Sequence, residues 1–197
     1  MPGELARPLA FVALGLALLA YFLAESGRHL LAIVRGDRSA DADGGSLLAI
    51  TVVWIVAVVA AFDLTLWGRR YDLPGGWPAW WLAGAALIAG GAAIRLRALR
   101  TLGEAYSPAV HVEAGQRVVT GGPYRVVRHP AYTGALVMLT GAGVAAANGA
   151  ALAICIGLPL AVLLFRIRVE ERVLFAAMGE PYAAYAAGRK RLIPFVW

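Results

Sequence analysis

The sequence predicts an all-α integral membrane protein of about five transmembrane helices, the last two a tight hairpin, with a cytosolic-side loop and a C-terminal helix closing a pocket. Three observations predict it. The 197 residues are 60% hydrophobic and 15% charged, with a mean hydropathy of +0.70, too apolar for a soluble domain of this size. Apolar runs recur at about Leu9 to Ala24, Leu47 to Trp67, Trp80 to Ile94, Tyr132 to Ala147 and Ala150 to Phe165. At about 1.5 Å per helical residue the shorter runs cross a core of about 30 Å only with flanking residues and snorkelling arginines included. Third, the basic residues gather on one side of these runs.

The first run is read as an uncleaved span with its N-terminus outside. It leads to a polar inner loop, "RGDRSADADGG", residues 35 to 45. The second run carries Asp63 about one turn from its outer end, where water or Arg69 is within reach, so a structural role is expected for it. A short outer loop, "GRRYDLPGGWP", follows, and Trp67, Trp77, Trp80 and Trp81 form an interfacial aromatic belt around it. The third helix ends in Arg95, Arg97 and Arg100, with Gly103 as its C-cap. "AVHVEAGQRVV", residues 109 to 119, reads as two short β-prone stretches of a small hairpin. The fourth and fifth runs turn at Asn148-Gly149. Within the fourth, "GAGVAA" matches a dinucleotide-binding string, but no strand precedes it, and small residues for helix packing explain it better. Cys155 is the one cysteine and lies in an apolar run, so disulfides and cysteine metal sites are excluded and packing is its expected role.

Five spans from an outer N-terminus put Arg28, Arg35, Arg38, Arg95, Arg97, Arg100, Arg117, Arg125, Arg128, Arg166, Arg168, Arg172, Arg189, Lys190 and Arg191 inside. Of the 18 basic residues only Arg7, Arg69 and Arg70 remain outside, so the positive-inside rule selects this topology, with a cytosolic C-terminus in an inner (cytoplasmic) membrane. The net charge of +6 thus reads as orientation, and membrane lipid rather than nucleic acid is the expected neighbour. P-loop, His-Glu-x-x-His and Gly-x-Ser-x-Gly patterns are all absent.

Chemistry concentrates in two stretches. The first is "GGPYRVVRHPAYTG", residues 121 to 134. Residues before proline leave the α region, so Gly122 and His129 should be extended or in turns, and Pro130 suits the first turn of the fourth helix. That geometry joins His129 to a helix N-terminus, whose N–H groups and dipole suit a carboxylate, and Arg128 adds a planar fork for the same kind of group. Tyr124 and Tyr132 bracket the site. The second stretch is "RIRVEERVLFAAMGEPYAAY", residues 166 to 185. Arg166 and Glu170 stand at i,i+4, as in a surface ion pair. Adjacent carboxylates diverge by about 100° on a helix, so one of Glu170 and Glu171 can pair with arginine while the other faces a site. Tyr182, Tyr185 and "RKRLIPFVW" would fold back over it.

The blocks "LGEAYSPAVHVEAGQRVVTGGPYRVVRHPAYTG", "EERVLFAAMGEPYAAY" and "LIPF" occur in an order that resembles the isoprenylcysteine carboxyl methyltransferase family, related to phospholipid methyltransferases. The likeness covers about residues 95 to 197, taken as the catalytic core; residues 1 to 94 form three N-terminal spans of the same single membrane domain. The resemblance implies S-adenosylmethionine as cofactor, held without metal in a cytosolic-side pocket between the loop before the fourth span and the C-terminal segment. It implies backbone at Gln116 and Val118 against the adenine, Tyr124, His129, Pro130 and Tyr132 lining the cofactor, and Glu170 or Glu171 on the far wall. Arg128 would hold a carboxylate of cofactor or substrate, and Glu171 or His129 would assist an acceptor that must lose a proton. The family's acceptor is a prenylated cysteine carboxylate on a lipophilic small molecule or peptide; a phospholipid amine or a small thiol are alternatives. A sterol-type reductase with a nicotinamide cofactor and a non-catalytic membrane protein are rivals of other classes. Eukaryotic members place an arginine three residues after the tyrosine matching Tyr185; here that position is Gly188, followed by Arg189.

Overall fold

The computed structural model describes residues 9–21, 46–106, 116–194 and 196–197. Six α-helices run through them: α1, Leu9–Tyr21; α2, Ser46–Trp67; α3, Trp77–Leu102; α4, Pro130–Ala145; α5, Gly149–Met178; and α6, Glu180–Ala187. The described residues hold no strand, only isolated bridges between Asp72 and Asn148 and between Val127 and Lys190. The inner loop at 35–45 lies outside the described residues, as does most of the hairpin expected at 109–119; residues 116–119 are not in a strand.

Three helices, α2 (Ala49–Trp67), α3 and α5, are long and apolar enough to cross a membrane, and the chain is an integral membrane protein. The shorter α4 has 16 residues, which at about 1.5 Å each falls short of a 30 Å core. In contrast, α5 has 30 residues, so it runs about 45 Å and carries Glu170 and Glu171 beyond its apolar run without a break. It stops at Gly179, where φ is +57°. The third helix stops as expected at Gly103, φ +54°, whose N–H caps the Leu99 carbonyl.

The tightest contact in the fold is between α3 and α4. Glycines seven residues apart on each helix meet in antiparallel register, Gly84 on Gly141 and Gly91 on Gly134. Seven residues are nearly two turns, so each pair lies along one helix face. A Cβ added at Gly91 would stand 2.6 Å from the Gly134 carbonyl oxygen, and one at Gly134 would stand 2.6 Å from the Gly91 oxygen. Backbone packs on backbone here, as small residues allow where lipid removes the hydrophobic drive between helices. Gly143 lies likewise against Leu152 of α5, so "GAGVAA" packs helices as expected.

Between α4 and α5 only residues 146–148 intervene. Asn148, fully buried, accepts from the Ala150 and Ala151 amides at 3.1 Å and donates to the Gly68 carbonyl at 2.9 Å, tying the turn to the end of α2. Cys155 is buried in the core with Ala57, Met138, Leu139 and Leu163.

Candidate functional site

Past α3 the chain enters a short 3-10 turn at Gly122–Arg125. Gly122 has φ +54° and sits against Thr101, where a Cβ would come within 2.8 Å of the Thr101 hydroxyl. Val127 to His129 then run beside the C-terminal tail: the Arg128 N–H donates to the Lys190 carbonyl at 2.8 Å and the His129 N–H to the Arg191 carbonyl at 2.9 Å. Thr133 adds a hydroxyl bond to the Leu192 carbonyl at 2.7 Å, and Leu192 itself is fully buried. The tail does fold back over the loop.

His129 is the N-cap of α4 and Pro130 its first residue. The helix end is less open to an anion than the sequence suggests, because the Tyr132 and Thr133 amides both donate to the His129 carbonyl at 3.0 Å. Proline has no N–H, which leaves Ala131 as the remaining donor of the first turn.

The two chemistry-bearing stretches meet at Glu171, which is 4% exposed. Arg128 Nη1 donates to Glu171 Oε1 at 2.7 Å and Arg191 Nε to Oε2 at 2.7 Å, while His129 Nε2 stands 3.4 Å from Oε1. On the other side of the imidazole, His129 Nδ1 is 3.9 Å from Glu170 Oε2. Glu170 accepts from the Tyr132 hydroxyl at 2.7 Å, and Tyr132 stacks on His129 with ring centres 5.7 Å apart. His129 is therefore held between two carboxylates that point apart, as their 100° separation on the helix requires. Glu171 takes the arginines; Glu170 keeps a side chain 27% exposed.

Tyr124, Tyr182 and Tyr185 are buried beside this network, with Val118 packed against them. The Tyr185 hydroxyl donates to the Tyr124 carbonyl at 2.9 Å. Burial pushes the Tyr185 phenol up to about 12, partly offset by Arg189 and Arg128. Burial and the neighbouring glutamates push Tyr124 and Tyr182 up as well, so all three stay neutral hydrogen-bonding groups. Gln116 reaches back to the Ala105 carbonyl at 3.4 Å, which leaves it nearer the end of α3 than the glutamates.

Several residues of the network carry no local mark in the sequence. Arg191 belongs to a basic tail that reads as a topology signal. Arg166, expected in a surface ion pair, is 2% exposed and donates from Nε to the Tyr132 hydroxyl at 3.1 Å. Arg95 is buried too, bonding the Ala131 carbonyl at 2.8 Å with its guanidinium over Trp54. Their signal is arginine two or three turns inside the end of an apolar helix, where orientation alone does not require one.

The chain is 31% identical over 124 residues to protein-S-isoprenylcysteine O-methyltransferase B of Arabidopsis thaliana, across 59% of this chain and 61% of the relative. It is 29% identical over 125 residues to a probable protein-S-isoprenylcysteine O-methyltransferase of Oryza sativa subsp. indica, across 57% and 60%. The chain thus spans about three fifths of the length of these curated relatives. Its fold matches the solved structure of the eukaryotic intramembrane Ras methyltransferase ICMT with a TM-score of 0.59 at 23% identity, over 77% of this chain and 62% of that one. The family model for phospholipid methyltransferases matches residues 80–180, just over half of the 197, and includes most of α3, all of α4, both glutamates and the residues between. On that match the chain belongs to the phospholipid methyltransferase family.

Proposed function

We propose that the chain is an S-adenosylmethionine-dependent membrane methyltransferase whose lipophilic acceptor enters from the bilayer, by similarity to its relatives the carboxylate of a prenylated cysteine. The observation that carries the proposal is the meeting of Arg128, His129 and Tyr132 with Glu170 and Glu171, some 40 residues apart in sequence, under a tail bonded by its main chain. We place this pocket on the cytosolic face of five spans, the last two a hairpin, with the N-terminus outside.

The donor set suits that cofactor, which supplies a methyl group on a sulfonium cation when bound. Arg128 uses Nη1 on Glu171 and Nε on the Arg189 carbonyl, so its Nη2 edge is left for a ligand carboxylate beside His129 and the Ala131 N–H. Glu170, partly exposed and oriented by Tyr132, offers a negative charge to a cation. Buried tyrosines give flat walls for an aromatic base, and Gln116 and Val118 lie on the approach to them. Displacement at a methyl group is in-line, so the chain's tasks are to position both partners and exclude water. A carboxylate acceptor needs no base. An amine or thiol acceptor must first lose a proton, which His129 would take, because Glu171 is held as a carboxylate by Arg128 and Arg191.

One finding favours a second acceptor: the matching family is described by phospholipid methylation, so a phospholipid amine is the alternative. Transfer of labelled methyl groups to farnesylcysteine analogues, phosphatidylethanolamine and small thiols separates these acceptors. Calorimetric titration of the detergent-purified protein with S-adenosylhomocysteine tests the class. His129→Ala and Glu171→Ala are expected to weaken that binding while the protein stays monodisperse; wild-type affinity in both sinks the assignment, and NADPH binding instead favours a reductase.

A further inference from the structure

Arg166, like Arg95, is a buried charge that the proposed chemistry does not use. At 2% exposure near the inner end of an apolar helix it is costly to place, and orientation in the membrane is already served by exposed Arg168 and Arg172. Its Nε donates to the Tyr132 oxygen at 3.1 Å. A guanidinium has donors only, so this bond occupies a lone pair of the hydroxyl and leaves the hydroxyl's own hydrogen free to point elsewhere. It points to Glu170 Oε2, 2.7 Å away. The Tyr132 ring is fixed in turn by its stack on His129, interplanar angle 18°.

The two glutamates are thereby made different. Glu171 has its charge met directly by Arg128 and Arg191, each at 2.7 Å. Glu170 is met by the Tyr132 hydroxyl, at 3.9 Å by the His129 ring, and by the charge of Arg166 one turn back on α5. We infer that Arg166 is a positioning residue which, through Tyr132 and through its own charge one turn away, holds Glu170 as the anion facing the cofactor's sulfonium, so that the site prefers the cationic methyl donor to its neutral thioether product. The inference rests on the proposed methyltransferase reading and adds the device by which spent cofactor is distinguished from fresh.

The test is calorimetric binding of S-adenosylmethionine and of S-adenosylhomocysteine to wild type, Tyr132→Phe, Arg166→Met and Arg166→Lys. Tyr132→Phe and Arg166→Met are expected to weaken the sulfonium ligand about tenfold and the thioether less than about twofold, with Arg166→Lys recovering part of the loss. Tyr132→Phe removes one oxygen and carries the test if Arg166→Met does not fold. Equal losses for both ligands, or none for the sulfonium, overturn the inference while the methyltransferase reading stands. A wild-type protein that binds neither ligand overturns both.

Discussion

Gly90 and Gly91 are neighbours on α3, and alanine at the two positions is expected to move stability in opposite directions. A Cβ at Gly90 meets nothing within 4 Å, so Gly90→Ala gains only helix propensity, about 0.5–1 kcal/mol. A Cβ at Gly91 would lie 2.6 Å from the Gly134 oxygen, 2.7 Å from the Met138 nitrogen and 2.8 Å from its Cγ. To restore ordinary contact the helices must part by roughly 0.8 Å, and a gap of that size along the seam forfeits a quarter to a half of each neighbouring contact. Overpacking of this kind costs about 1–3 kcal/mol, which corresponds to a fall in Tm of roughly 3–10 °C for a chain of this size. Cys155 gives a built-in assay, because it is the one cysteine and is fully buried, so a thiol-reactive fluorophore labels it only as the bundle opens. Shifts of the same sign and size in the two variants would refute the backbone-on-backbone seam.

Double-mutant cycles on Glu171 should give a coupling of about 2 kcal/mol with Arg128 and under about 1 kcal/mol with Arg191, since the side chains are 15% and 37% exposed respectively; equal couplings contradict this ranking. Asn148→Ala should lower stability by about 1–2 kcal/mol through loss of the α5 cap and the Gly68 bond, measured by the same thiol assay, and an unchanged midpoint would show the cap to be dispensable. Raised phenol pKa values in the folded state mean that the neutral tyrosines favour folding below about pH 10 and that this contribution is lost as pH climbs through 12. Tyrosinate absorbance should therefore rise in two steps, the later one accompanying loss of helical circular dichroism; a single step near pH 10 would argue against the buried cluster.

The helices were legible because hydrocarbon solvent imposes long apolar runs, and their ends were legible where glycine or proline acts locally, as at Gly103 and Pro130. Runs underestimate helices that leave the membrane: nothing between Phe165 and Gly179 breaks α5, so apolarity stops a dozen residues before the helix does. The convergence of Arg128, His129, Tyr132 and the two glutamates could be anticipated from motif order. Which glutamate took the arginines could not, since that depends on the rotation of α5 against α4. Nor could Arg191 or Arg166 be assigned, because in a basic chain every inner-side arginine looks like an orientation signal, and a partner 20 or 34 residues away leaves no trace in local spacing.

The pairing of residues 127–129 with the tail has a consequence for how such a site can diversify. Its bonds run from the Arg128 and His129 amides to the Lys190 and Arg191 carbonyls, and every amino acid presents the same carbonyl. Side chains at 188 and 190 are thus interchangeable parts on a fixed rail. A substitution at Gly188 or Lys190 would therefore change what the tail presents without removing the main-chain bonds that fix it, so the surface beside Glu171 can vary while the course of the tail over it does not.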